Sequence, residues 1–171
     1  MENIEITKGA NPTSEKSDKV FLEIRKDRPD LFKMLLEDMD STFKRESLWV
    51  QEVGKGKYEV GNIPFSDKIN MNDIVAVVHD EMTPGKCTFE RIIEPVNGSG
   101  WLIMENEEDQ EKVKLFLVRL SAKVEWSQLA PGMIKVTWPL KIDKEIKNAL
   151  DSEFGPVVEP AEVKNILDSK F

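Results

Sequence analysis

The chain of 171 residues contains one cysteine, one histidine and one tyrosine, and these scarcities exclude a good deal. With Cys87 as the sole cysteine there is no internal disulfide, as expected in a reducing compartment. One His and one Cys cannot complete a structural zinc site, whose four ligands come chiefly from those two residue types, so no metal is expected. No apolar run approaches the roughly 18 residues that span a bilayer. Met1 to Lys19 is polar and acidic, without the basic start and apolar middle of a signal peptide, which makes the cytoplasm the expected location and a membrane an unexpected partner.

Positive charge is also in short supply. The net charge is −8, from 32 acidic and 24 basic residues. Residues 1–100 carry 14 basic and 19 acidic groups, a net of −5, and residues 101–171 carry 10 and 13, a net of −3. No basic cluster interrupts this field, so a phosphate backbone is repelled and nucleic acid is not an expected partner. A basic protein is accommodated more easily, because opposite fields speed encounter.

What is present reads as a folded α+β protein, 40% hydrophobic and 33% charged. Residues 1–18 show no period and read as a flexible arm. Val20 to Ile24 predicts a first strand, and Pro29 followed by Leu31, Met34, Leu35 and Met39 predicts a short amphipathic helix. Ser47–Val53 and Tyr58–Val60, joined by Gly54-Lys55-Gly56-Lys57, predict a hairpin. Ile74–Val78 and Cys87–Ile93 are further strands around Thr83-Pro84-Gly85-Lys86. Residues 19–96 are therefore a β-rich part, a small antiparallel sheet or partial barrel.

Pro95 to Gly100 is the candidate boundary, with Asn97-Gly98-Ser99-Gly100 read as a flexible turn. Beyond it come a strand at Trp101–Met104 and a helix capped by Asn106, with Val113, Phe116, Leu117 and Leu120 on its apolar face. Strands at Lys123–Trp126 and Ile134–Trp138 follow, then a helix through Ile142, Ile146 and Leu150 that stops at Gly155. Val157-Val158 suggests a strand and Ala161–Leu167 a C-terminal helix. Residues 101–158 thus read as a ferredoxin-like split βαβ unit, and residues 97–171 as the α+β part that holds it with the C-terminal helix.

Glu46-Ser47-Leu48-Trp49-Val50, Tyr58, Asn62-Ile63-Pro64-Phe65 and Asp73-Ile74-Val75 together resemble the bacterial family called domain of unknown function 4265. The resemblance spans roughly residues 20–158. Relative to that family, residues 29–44 read as an additional helix. The family brings no established activity with it.

Few residues suggest chemistry. His79 ends a predicted strand with Cys87 on the facing one; a Cys–His pair makes a nucleophile when the imidazole is in hydrogen-bond reach. Without an oxyanion donor or an orienting third group, an exposed turn His and an inert Cys are the expectation. The carboxylates at 105–109 suit a helix start rather than a metal. The stretch Asn97–Gly100 precedes a strand, so it is not a phosphate loop, and no cofactor is expected. Glu46, Trp49, Asn62 and Phe65 leave two readings open. Either Trp49 and Phe65 line a polar groove in which Glu46 and Asn62 bind a partner, or the rings are core and Asn62 holds a turn. Trp126 and Trp138 fall on neighbouring strands, and an exposed one would anchor an interface; Trp138 joins the candidate binding residues.

Three function classes follow, the third being a structural or regulatory module that dimerises through a sheet edge or an exposed Trp. The first is a non-catalytic protein-binding module with a basic partner, such as an immunity protein that neutralises a toxin. The second is a small-ligand protein or enzyme with a polar pocket near Glu46, Asn62 and His79.

Overall fold

The computed structural model describes residues 15–41, 43–104, 106–120, 125–130 and 132–155. The elements run α1 (Glu15–Asp27), β1 (Leu31–Glu37), β2 (Arg45–Gly54), β3 (Lys57–Val60), β4 (Ile74–His79), β5 (Lys86–Glu94), β6 (Asn97–Ile103), α2 (Glu107–Leu120), β7 (Glu125–Ala130), β8 (Met133–Pro139), a 3-10 turn at Leu140–Ile142 and α3 (Asp143–Phe154). The α+β class stands. Strands β1 to β5 close into a barrel, and β6, β8 and β7 form a second sheet in that order.

The first two elements are the reverse of the sequence expectation. Val20 to Ile24 lies inside a helix, which begins at Glu15 within the expected arm; residues 1–14 lie outside the described residues. Only one side of this helix is needed by the core: Phe21 is buried while Val20 and Leu22 stay in water. The Phe21 ring packs 5.2 Å from that of Trp49 on the barrel wall. Arg25 fixes the helix end, donating to the carbonyls of Leu31 and Pro29. The expected helix is strand β1 instead. Its apolar residues satisfy both periods, but Met34 and Leu36 point into the barrel two residues apart.

Strand β1 has partners on both sides, antiparallel to β2 (Met34 opposite Leu48) and parallel to β5 (Met34 opposite Cys87). Four antiparallel steps return the fifth strand to the direction of the first, so closure has to be parallel. Inside are Met34, Leu36, Leu48, Val50, Tyr58, Val60, Ile69, Val75 and Cys87. The β2–β3 hairpin, β4 and β5 stand where the sequence puts them.

The expected flexible turn at 97–100 is the first half of β6. Gly98 serves packing there. The Trp138 indole donates to Asp143 Oδ1 at 2.7 Å directly over Gly98, where a Cβ would lie 2.5 Å from that carboxylate oxygen and 2.8 Å from the indole nitrogen. Asn106 caps α2, its Oδ1 accepting from the Asp109 N–H at 2.8 Å. Gly155, at φ 88°, ends α3 with its N–H on the Asp151 carbonyl. The strand expected at 157–158 and the helix expected at 161–167 lie outside the described residues.

Strand β8 is buried on both faces. Ile134, Val136 and Trp138 meet Val113 and Leu117 of α2 and Ile146 and Leu150 of α3. Met133 turns the other way, towards Trp101, Phe43 and Phe65. The second sheet therefore has helices on one face and the barrel on the other.

Candidate functional site

Four of the five candidate binding residues surround one segment, residues 61–66, which follows β3. Asn62 Oδ1 accepts from the Trp49 N–H at 2.8 Å, and the Gly61 N–H donates to the Trp49 carbonyl at 2.8 Å. Glu46, from the start of β2, uses both oxygens: Oε1 accepts from the Phe65 N–H at 2.7 Å and Oε2 from the Ser66 N–H at 2.8 Å. Phe65, Phe43 and Trp101 form a mutual triangle of rings, with centroids 5.5 Å apart for Phe65–Phe43 and 5.9 Å for each of the other two pairs. Trp49 is half-buried beneath Phe21. Trp138 is apart from these four, fully buried in the helix-facing core.

Lys135 completes this region, and sequence reasoning did not single it out. It is fully buried on β8, where its ammonium donates to the Ser66 carbonyl at 2.8 Å, pairs with Asp67 at 3.2 Å and lies 5.8 Å from the Trp101 ring. Ser66 is also fully buried, and its hydroxyl donates to Asp38 Oδ2 at 2.7 Å. Burial pushes the Lys135 ammonium below its ordinary pKa, with Asp67 and Glu46 opposing. Burial pushes the Glu46 carboxyl up, against the two backbone N–H groups and Lys135. The available signal was a single Lys in an apolar strand, Met133-Ile134-Lys135-Val136. A cation there is either paired or very costly.

Chemically this region is a clamp. Both Glu46 oxygens are occupied, and Lys135 has no surface from which to meet a substrate. Asp73 acts in the same way at the crossover between the two sheets. Its Oδ1 accepts from the Val96 N–H at 2.7 Å and the Asn97 N–H at 3.3 Å, and its Oδ2 from the Asn70 N–H at 2.8 Å.

His79 lies at the other barrel rim, exposed, with Nε2 2.8 Å from the Tyr58 hydroxyl. Tyr58 pairs with Glu52 of β2, and Glu52 is six residues from Glu46, roughly 20 Å along a strand. The pocket expected from Glu46, Asn62 and His79 is not assembled. Cys87 is directly opposite His79 in the ladder, but its buried thiol is pushed up to about 12 and stays protonated at neutral pH. Among the described residues no group of three or more His, Cys, Asp or Glu is placed to hold a metal ion, and no helix is long and apolar enough to cross a membrane.

Like Phe154 of α3, Trp126 is an exposed aromatic. It is 36% exposed on β7, with the Lys114 ammonium of α2 6.0 Å from its ring. Leu115 and Val118 of the same helix are 60% and 52% exposed.

No protein-family model matches the chain, and no curated protein does. One solved structure is similar, described as a novel crystal structure of a hypothetical protein from Neisseria gonorrhoeae. It is 18% identical, with a TM-score of 0.52 over 77% of this chain and 93% of its own. At that identity the likeness concerns the fold alone.

Proposed function

We propose that the chain is a non-catalytic protein-binding module with a basic partner, in the manner of a cytoplasmic immunity protein that neutralises a toxin by covering it. The observation that carries this reading is the surface at Trp126. An exposed indole on β7, 6.0 Å from the Lys114 ammonium of a helix that also exposes Leu115 and Val118, supplies the kind of aromatic anchor that dominates binding energy in contact cores. The net charge of −8 favours a basic partner over an acidic one. The free, buried Cys87 accords with a reducing cytoplasm.

The finer fold assignment belongs to the same proposal. The order β6-β8-β7, with both pairings antiparallel, supports a ferredoxin-like split βαβ unit after the barrel. So does the packing of α2 and α3 against the same sheet residues. Kinship with domain of unknown function 4265 is supported by the common role of Glu46, Asn62 and Asp73, each of which accepts backbone N–H groups, the first two about residues 61–66 and Asp73 at the crossover between the sheets.

Affinity capture of the full chain from its native host tests the reading. The expected result is one stoichiometric partner of basic isoelectric point, held in a complex that weakens as salt rises. Recovery of no stoichiometric partner overturns it.

A further inference from the structure

Between the two sheets an amine and a carboxyl are held at the separation from which bond-forming atoms react. Lys135 of β8 is fully buried, and its Nζ lies 3.2 Å from Asp67 Oδ1. An ammonium has three protons to place. Two meet oxygen, at the Ser66 carbonyl (2.8 Å) and at Asp67. No third acceptor is within hydrogen-bond reach among the described residues, and the Trp101 ring centroid is 5.8 Å away. Met133, Phe43 and Phe65 pack around that ring.

A buried ion pair is held at a cost, because a charge has left water on each side. A neutral amide in its place removes that cost. It carries a single N–H, which the Ser66 carbonyl satisfies alone. Burial favours the uncharged amine, the form that attacks a carboxyl. Glu46 is a positioning residue here: it holds the Ser66 N–H at 2.8 Å, while the carbonyl of the same residue holds Nζ. The Asp67 side chain is 35% exposed, so the water formed has a way out.

We infer that Lys135 Nζ and Asp67 Cγ join in an intramolecular amide bond after the chain folds, which makes this pair a self-modification site. One proton first passes from the ammonium to the carboxylate. The nitrogen lone pair then attacks Cγ, the bond from Cγ to the hydroxyl breaks, and that hydroxyl takes a second proton from the nitrogen and leaves as water. Ammonium plus carboxylate gives amide plus one water, and no oxidant, reductant or other reactant enters. The product ties the second sheet to the barrel by a covalent link between residues 67 and 135.

Intact mass and tryptic mapping of the full, folded wild-type chain test this. The major species is expected to be lighter than its sequence by one water molecule. After denaturation, trypsin is expected to leave Lys135 uncut and to release peptides 58–68 and 124–141 as one linked species. Asp67→Ala is expected to have its full sequence mass and to be cut after Lys135. A wild type of full mass that is cut after Lys135 overturns the inference, and this measurement needs no variant to fold. So does a water lost within a single peptide, or one still missing from Asp67→Ala.

Discussion

Glu46 shows how a single carboxylate can look like a binding group and act as a fastener. Its oxygens face two adjacent N–H groups, an arrangement a carboxylate satisfies and an amide does not. Glu46→Gln sets an NH2 against one of those donors and is expected to cost about 1–3 kcal/mol in denaturant unfolding. The pH dependence has a definite sign. Because the folded carboxyl holds its proton to higher pH than the unfolded one, its contribution is full below the ordinary glutamate value and is lost as pH rises through the raised one. The stability gap between wild type and variant therefore narrows with rising pH across that window; a gap that widens overturns the assignment. The sequence made Glu46, Trp49, Asn62 and Phe65 recognisable as a set because each of two short stretches sets a polar residue three positions before an aromatic one. It did not reveal Lys135, whose partners Ser66 and Asp67 are about seventy residues away, a separation no local pattern encodes.

At the level of elements, what could be read was what local chemistry determines. The hairpin at Gly54–Lys57, the Asn106 cap and the Gly155 stop are all settled within a few residues. The exchange of helix and strand over residues 20–37 was hidden because its cause is distant. Strand β1 is required by β5, more than fifty residues later, and Leu31 to Leu36 fits either period until that partner is present. Strand β6 gives the element-scale prediction. Gly98→Ala places a methyl against the Trp138–Asp143 hydrogen bond. Crowding and loss of that bond are expected to lower stability by about 1–3 kcal/mol, with a change in the near-ultraviolet signal of the buried indole. A variant as stable as wild type, with that signal intact, shows that Gly98 is a mere turn residue after all.

At the scale of the whole molecule, two sheets are joined along a polar seam. Asp73 holds the crossover, Glu46 holds the segment at 65–66, and Lys135 reaches across from the second sheet. The three fasteners couple the two folding units. Wild type is expected to melt in a single calorimetric transition, as coupled units do. Asp73→Ala strands up to three N–H groups, at about 1–3 kcal/mol for each one left buried and unpaired, and is expected to split the transition in two. A single, merely lowered transition would place the coupling elsewhere.

The barrel's parity has a mechanical consequence. Because β1 and β5 run parallel, the chain enters the barrel at the His79 rim and leaves it at the rim that meets the second sheet. A pull between α1 and that sheet would draw β1 and β5 lengthwise past one another. The evenly spaced hydrogen bonds between them would then bear the load together instead of opening one by one. The barrel is built to resist stretching along this axis far better than peeling across it.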